Sequence, residues 1–299
     1  MYWTDAVDEI LEGDQALALA YITPARGVVI VPVTNFGMRD RDAGTVAVNS
    51  SVGAWKKLDR IARNPNVALA FHARDHGSSG RDEYVLVQGR ATLSEPIPDY
   101  PATVSDHWER YEAWRDLHPL WKLWLRIFAL RVEIRVTAER VISWPDLACR
   151  GEPELRGAPW PGDPPAPQRP PARGTAARID AARAARRARR LPHVLLGWVG
   201  ADGFPVVVPV GVGEATRHGI RLEPPAHTVP PGGRRAGLTA HWFAPRVVGQ
   251  HQRVHTGWLE ASDAVLYAPH TIAAYRFPAS TALFRLVAGA GTRWRARQA

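Results

Sequence analysis

The chain has 299 residues, 45% of them hydrophobic and 22% charged, enough to bury one large core or two of ordinary size. No apolar run approaches the roughly 18 to 20 residues that span a bilayer, the opening MYWTDAVDEILEGD is acidic where a signal peptide is basic, and the lone Cys149 leaves no internal disulfide, so a soluble protein in a cytoplasmic location is expected. The net charge of +9 sits largely in Arg183, Arg186, Arg187, Arg189 and Arg190 and in the tail Arg293, Arg295 and Arg297; no nucleic-acid motif accompanies it, so neither a nucleic acid nor a membrane is expected as partner.

The first 150 residues are patterned mainly for strands. Gln15 to Thr23 and Val28 to Val33 are short apolar runs joined by Pro24-Ala25-Arg26-Gly27, which predicts a hairpin. Thr45 to Ser51 alternates as a strand, and Ala54 to Arg63 spaces Trp55, Leu58, Ile61 and Ala62 at helical intervals before Asn64-Pro65 stops it. Val67 to Phe71 and Tyr84 to Leu93 resume the strand pattern. Trp108, Tyr111, Trp114, Trp121, Trp124 and Phe128 mark one helical face interrupted at His118-Pro119, a core or partner surface with a tryptophan-lined substrate cage as the alternative. Leu130 to Trp144 closes the region as an alternating strand.

Residues 151 to 174 are so rich in proline that helix and sheet interior are denied to them, which predicts a stiff connector. Beyond it, AARIDAARAARRARR predicts a solvated helix. The early pattern then returns: a hairpin turn followed by VVIVPV in the first half is matched by Val199 to Gly203 followed by FPVVVPV in the second. NPNVALAFHARDHG is echoed by GGRRAGLTAHWFAPRVVG, and YVLVQGRATL by RVHTGWLEAS. A repeat unit of around a hundred residues signals a duplicated domain. The expected organisation is residues 1–150 as one unit, 151–174 as connector and 175–299 as a degenerate second unit, each a small antiparallel barrel.

The string AVNSSVGAWKKLDRIARNPNVAL, with Val33 closing the strand before it and VLVQGRATL after it, resembles the FMN-binding split β-barrel superfamily of pyridoxamine 5'-phosphate oxidase-like proteins. In that family a strand ends in small hydroxyl residues, a basic residue opens a helix, the helix meets an Asn-Pro or Asp-Pro turn, and a later strand carries a glycine and a small residue. The resemblance implies a mainly β fold of two tandem split barrels. It implies an FMN site at Lys57, seven residues before Asn64, with Lys56, Ser51, Ser50, Asn49 and Val33, and places Gly89 and Ala91 on the later strand. Physical chemistry concurs, because a phosphate needs cations, hydroxyls and the free N–H groups of a helix start; an N-cap serine with two solvated lysines is the structural alternative.

In the second half EPPAHTVPPGGRR stands where the first has NSSVGAWKKLDRIARNP, so the helix and lysine are lost and only Arg234 and Arg235 offer charge. Gly211-Val212-Gly213 lacks the third glycine of a dinucleotide loop, and His251 and His255 lack the glutamate of a zinc helix, so no metal is expected. The resemblance implies an FMN-dependent oxidoreductase exchanging a hydride or electrons between the flavin N5 and a small organic substrate. The tail GTRWRARQA departs from the ending of the authentic pyridoxamine phosphate oxidases. The alternatives are a reductase using the deazaflavin F420 and a non-catalytic flavin carrier or interaction module. Split barrels bind flavin where two pair, so pairing either within this chain or in a homodimer is expected.

Overall fold

The computed structural model describes residues 2–296, so Arg297 of the basic tail lies outside the described residues. A helix α1 (Asp5–Gly13) leads into strands β1 (Ala16–Ile22), β2 (Val28–Thr34), β3 (Met38–Asp40) and β4 (Thr45–Ser51). Helix α2 (Trp55–Arg63) is followed by β5 (Asn66–Ala73) and β6 (Tyr84–Leu93), short helices α3 (Tyr100–Thr103) and α4 (Ser105–Trp108), α5 (Pro119–Ala129), the long strand β7 (Arg131–Trp144) and the short strand β8 (Glu154–Gly157). The second half runs α6 (Ala181–Ala188), β9 (His193–Val199), β10 (Pro205–Pro209), β11 (Gly211–Thr216), β12 (Gly219–Glu223), β13 (Gly232–Phe243), β14 (Gln250–Ala261), β15 (Val265–Phe277) and α7 (Thr281–Ala296).

The two sheets have one topology written twice. The first is ordered β2-β1-β5-β6-β7-β4-β3 and the second β10-β9-β13-β14-β15-β12-β11, all antiparallel. Even their irregularities coincide: a register shift falls immediately before Gly89 on β6 and before Gly257 on β14. A Cβ at either glycine would lie 2.1 Å from the Thr137 carbonyl oxygen or 2.2 Å from that of Ala268, so both bulges require glycine for the same reason. The fold is mainly β, two tandem split barrels, as the sequence led one to expect.

Three local expectations are corrected. Helix does not run through the tryptophans: α4 stops at Trp108, and residues 109–118 are turns before Pro119 opens α5. Residues 154–157 of the connector form β8, an edge strand on β7, because this four-residue stretch is free of proline and an edge needs bonds on one side only. Helix α6 is half-buried where a solvated helix was expected. Its Ala181, Ala184, Ala185 and Ala188 make a buried face that packs on the second barrel, as Val7, Ile10 and Leu11 of α1 do on the first.

All seven residues of β1 are buried. Leu17, Leu19 and Tyr21 enter the core of the first barrel, while Ala18, Ala20 and Ile22 face a second core shared with Leu195, Val199 and Val207 of the other barrel. The small alanines let the two sheets approach closely. Hydrogen bonds cross the seam: the Tyr84 hydroxyl donates to the Val207 carbonyl at 2.7 Å, and the Thr239 hydroxyl to that of Ile30 at 2.7 Å. Ile30 and Val207 hold the same place in their hairpins, opposite Ala20 and Gly197.

A pseudo-twofold axis passes between His72 and His241. Val67 pairs with Gly89 and Ala236 with Gly257, and each histidine lies five residues further on. Their Nε2 atoms are 2.7 Å apart. The Ala70 carbonyl accepts from His72 Nδ1, so the neutral His72 Nε2 accepts from the His241 Nε2–H, and His241 Nδ1 is left buried without a partner. Burial, then the neighbouring His193, push His72 down to about 3, and burial likewise holds His241 well below its ordinary value. His193 itself meets Asp75 at the edge of the cluster.

Because both folded values lie below the unfolded one near 6.5, the unfolded chain takes up the protons first, and stability falls as pH drops below that point. The loss is expected to reach at most about 2 kcal/mol per histidine at pH 5. Urea midpoints at pH 7.5 and pH 5 should therefore differ markedly for the native chain and much less for His72→Gln/His241→Gln; equal pH dependence would remove the pair from the account.

Candidate functional site

Strand β4 delivers Asn49, Ser50 and Ser51 to the start of α2 through a single 3₁₀ turn, Val52–Ala54. The Ser51 hydroxyl accepts from the Gly53 N–H at 3.2 Å and caps that turn, while the Ser50 hydroxyl donates to the Ser51 carbonyl at 3.3 Å. Ala54 precedes α2 and offers no side-chain cap, so the first-turn N–H groups of α2 have no side-chain acceptor there. The antiparallel register of β4 with β7 sets Arg131 directly opposite Ser51.

These residues line a cavity of about 400 Å³ between the two barrels. Val33, Asn49, Ser50, Ser51 and Lys57 all reach it. Lys56 does not: it is exposed, and its ammonium lies 5.4 Å from the centre of the Trp55 ring. Gly89 serves the bulge and Ala91 the barrel core, so neither belongs to this wall. The second half supplies the opposite side with Arg246, Gln250, Arg276 and Phe277 and with α7, which packs on α5. Trp108, Tyr111 and Trp114 are mainly core, and their edges complete an aromatic wall with Phe36, Phe128 and Phe284.

Charge in the cavity is unbalanced. Glu112 is its one lining carboxylate among the described residues, and it is already bonded by Arg285, whose Nε donates at 2.8 Å. Among the described residues, Lys57 and Arg131 have no carboxylate partner. Arg131 rests on the Phe128 ring at 4.1 Å, with its Nε buried and without a hydrogen-bond acceptor, and Asn49 Nδ2 is orphaned in the same way. Burial first, then the Arg131 charge, lower Lys57 to about 8; burial lowers Arg131 to about 10. Two desolvated cations and an unmet amide N–H form a site that an anion would satisfy.

The loop after β13 is held in place from the first barrel. The buried Gln15 side chain donates to the Ala244 carbonyl at 3.0 Å and accepts the Arg246 N–H at 2.8 Å. Val247 on this loop has φ +58°, a conformation costly for a β-branched residue, and it lines the cavity.

Arg131, Arg246, Arg276 and α7 were not singled out from sequence. Arg131 had a signal: it opens the alternating strand RVEIRV, with Val132, Ile134 and Val136 on the buried face and its own side chain on the other. The second barrel has no counterpart of this group of residues. Ala91 pairs with Val136 and Leu259 with Tyr267, each two residues past its bulge glycine, which makes Ile220 the equivalent of Val46 and Glu223, Pro224 and Pro225 those of Asn49, Ser50 and Ser51. Arg234 and Arg235 do not replace the lost charge, because they bind the connector through the Pro165 carbonyl and Gln168.

No family model and no curated protein matches the chain. Solved structures to which it is similar include a conserved hypothetical protein from Mycobacterium tuberculosis (20% identity, TM-score 0.36, 52% of this chain and 93% of that one). Another is a pyridoxinephosphate oxidase-family protein related to general stress protein 26, from Clostridium acetobutylicum (10%, 0.34, 50% and 91%). A third is a pyridoxamine 5'-phosphate oxidase-related, FMN-binding protein from Nostoc punctiforme (16%, 0.30, 47% and 78%). Each spans about half of this chain. What the fold itself shows is one antiparallel split-barrel sheet topology present twice in tandem. No described helix is long and apolar enough to cross a membrane, and no group of three or more potential metal ligands occurs among the described residues.

Lys57 should lose its proton near pH 8, so the affinity of the cavity for an anion should fall as pH rises above that value. Acylation rates followed by mass spectrometry as a function of pH should place the Lys57 midpoint near 8; a midpoint at the ordinary lysine value of about 10.4 would contradict the desolvated site.

Proposed function

We propose that the cavity between the barrels binds a flavin mononucleotide and that the chain is a flavin-dependent oxidoreductase acting on a small organic substrate. The observation that carries this reading is the pairing of Lys57 with Arg131, two desolvated cations without a carboxylate, beside Ser50, Ser51 and the orphaned Asn49 amide. The residues fit the group. Lys57 and Arg131 would hold the phosphate, the serine hydroxyls and Asn49 would donate to its remaining oxygens, and the start of α2 adds its dipole. Val33 and the aromatic wall would enclose an apolar ring system and keep water from it. A flavin, when bound, supplies two-electron exchange at its N5, and the protein contributes position and electrostatics.

A second reading, the deazaflavin F420, is favoured by Arg246, which adds a further cation on the second barrel's side of the cavity, suited to an acidic tail. Removing one charge-assisted contact to a phosphate costs about 1.5 to 3 kcal/mol, or roughly tenfold or more in affinity. Lys57→Ala and Arg131→Ala should each weaken FMN by at least that factor and leave riboflavin nearly unchanged; equal losses would refute the phosphate assignment. Titration with both cofactors decides between the two readings, and binding of neither would end the oxidoreductase proposal.

The proposal also places both halves of the site in one chain. Because Pro224 and Pro225 stand where Ser50 and Ser51 would be needed for a second site, one flavin per monomer is expected. Solution mass with flavin stoichiometry tests this: a dimer that loses its flavin on dilution to monomers would show that the site is intermolecular.

A further inference from the structure

Away from Lys57 and Arg131, the second barrel carries a concentration of positive charge that the flavin reading does not use. His251, Arg253 and His255 alternate along β14 and therefore share one side of the sheet. The register with β15 places Arg276 opposite His251. Helix α6 brings Arg183 and Arg187 to the same field: the charged neighbours acting on His251 are Arg253, Arg276 and Arg187, and those acting on Arg253 are Arg187 and Arg183. Among the described residues no carboxylate acts on either.

Two buried atoms in this group lack partners. Arg253 Nε has no acceptor, and His255 Nε2 is unbonded while its Nδ1 donates to the Thr271 carbonyl at 3.2 Å. Among the described residues, the side chains of Arg183, Arg187, Arg253 and Arg276 make no hydrogen bond or ion pair. Four guanidiniums gathered without a counter-ion repel one another, and an orphaned Nε adds a desolvation cost, so the arrangement is relieved by an anion.

We propose that this face of β14, β15 and α6 binds a small ligand bearing two or more phosphate groups. Several charges are needed because the cations are several and adjacent. A small ligand fits better than a nucleic acid because the unmet His255 Nε2 is buried, where the backbone of a polymer does not reach, even though Trp242 stands across β13 from His251 on the same side. His255, held at about 4 chiefly by burial, takes up a proton when the anion arrives and then donates from Nε2.

Inorganic tripolyphosphate is a suitable probe, titrated calorimetrically at pH 6.5 and low salt into a Lys57→Ala/Arg131→Ala chain, so that the flavin pole cannot contribute. Binding at one site per chain is expected, weakened about tenfold or more by Arg187→Gln or Arg253→Gln. Arg186→Gln, which removes an equal charge from an exposed position of the same helix, should leave it nearly unchanged. Comparison of buffers with different ionisation enthalpies should reveal proton uptake that His255→Gln abolishes. Equal effects of all three arginine substitutions would reduce the site to general basicity and overturn the proposal. So would tight binding of a single-stranded oligonucleotide, sensitive to the same variants, with none of tripolyphosphate. Flavin titration of the native chain is read separately, so either proposal can fail alone.

Discussion

Everything else in the molecule rests on the seam between the barrels, where β1 and β2 are buried on both faces. A strand in a lone split barrel would alternate between core and water. Here the second barrel covers the outer face, and the alternation is between leucine toward one core and alanine toward the other. Apolar burial without directionality would permit many ways of sliding one sheet over the other. The Tyr84–Val207 and Thr239–Ile30 hydrogen bonds and the His72–His241 contact fix one of them, since each would leave a buried polar group unmet if the sheets shifted. The cavity follows from this alignment, because its two walls belong to different barrels.

Duplication freed the second copy from half of its obligations. In a symmetric pair both copies would carry the cationic end of the cavity; in a fused pair one can lose it while its outer strands still wall the other copy's cavity. The loss is visible at register-equivalent positions, where Pro224 and Pro225 replace two serines and no helix follows. What replaces the helix is the connector, tied down by Arg234 to Pro165 and by Gln168 to Arg26 and Arg235. Thus a segment whose prolines bar it from regular structure still covers part of a barrel surface, by spending its carbonyls on arginine donors.

Much of this was legible in the sequence because it was local. Thr45 to Ser51, the helix to Arg63 and Tyr84 to Leu93 announced themselves by period and by punctuation at Asn64-Pro65, and the hydroxyl and lysine positions followed from a short motif. What could not be read depended on partners distant in sequence. Arg131 matters because it lies opposite Ser51, and a register across 80 residues is not written in either strand. The buried face of α6 was hidden by its arginines: alanine is a weak hydrophobic signal, yet four alanines suffice where a sheet approaches closely. Tyr111 and Trp114 keep helical spacing from Trp108 although the helix ends there, because turns can also bring three large rings to one cluster.

The cavity's electrostatics argue for a ligand more strongly than its shape does. An apolar hollow between sheets could be a packing defect at modest cost, but Lys57 and Arg131 beside each other, with no counter-charge among the described residues, are expensive. The aromatic ring under Arg131 recovers only part of that cost. A chain under no functional demand could exchange Lys57 for a neutral residue and gain stability, since the helix that carries it already has Ile61 buried in the barrel core as its anchor. The charge lies where burial penalises it, while the register-equivalent positions of the second barrel carry Glu223, Pro224 and Pro225, so the electrostatic strain of the cavity falls on the side of the first barrel.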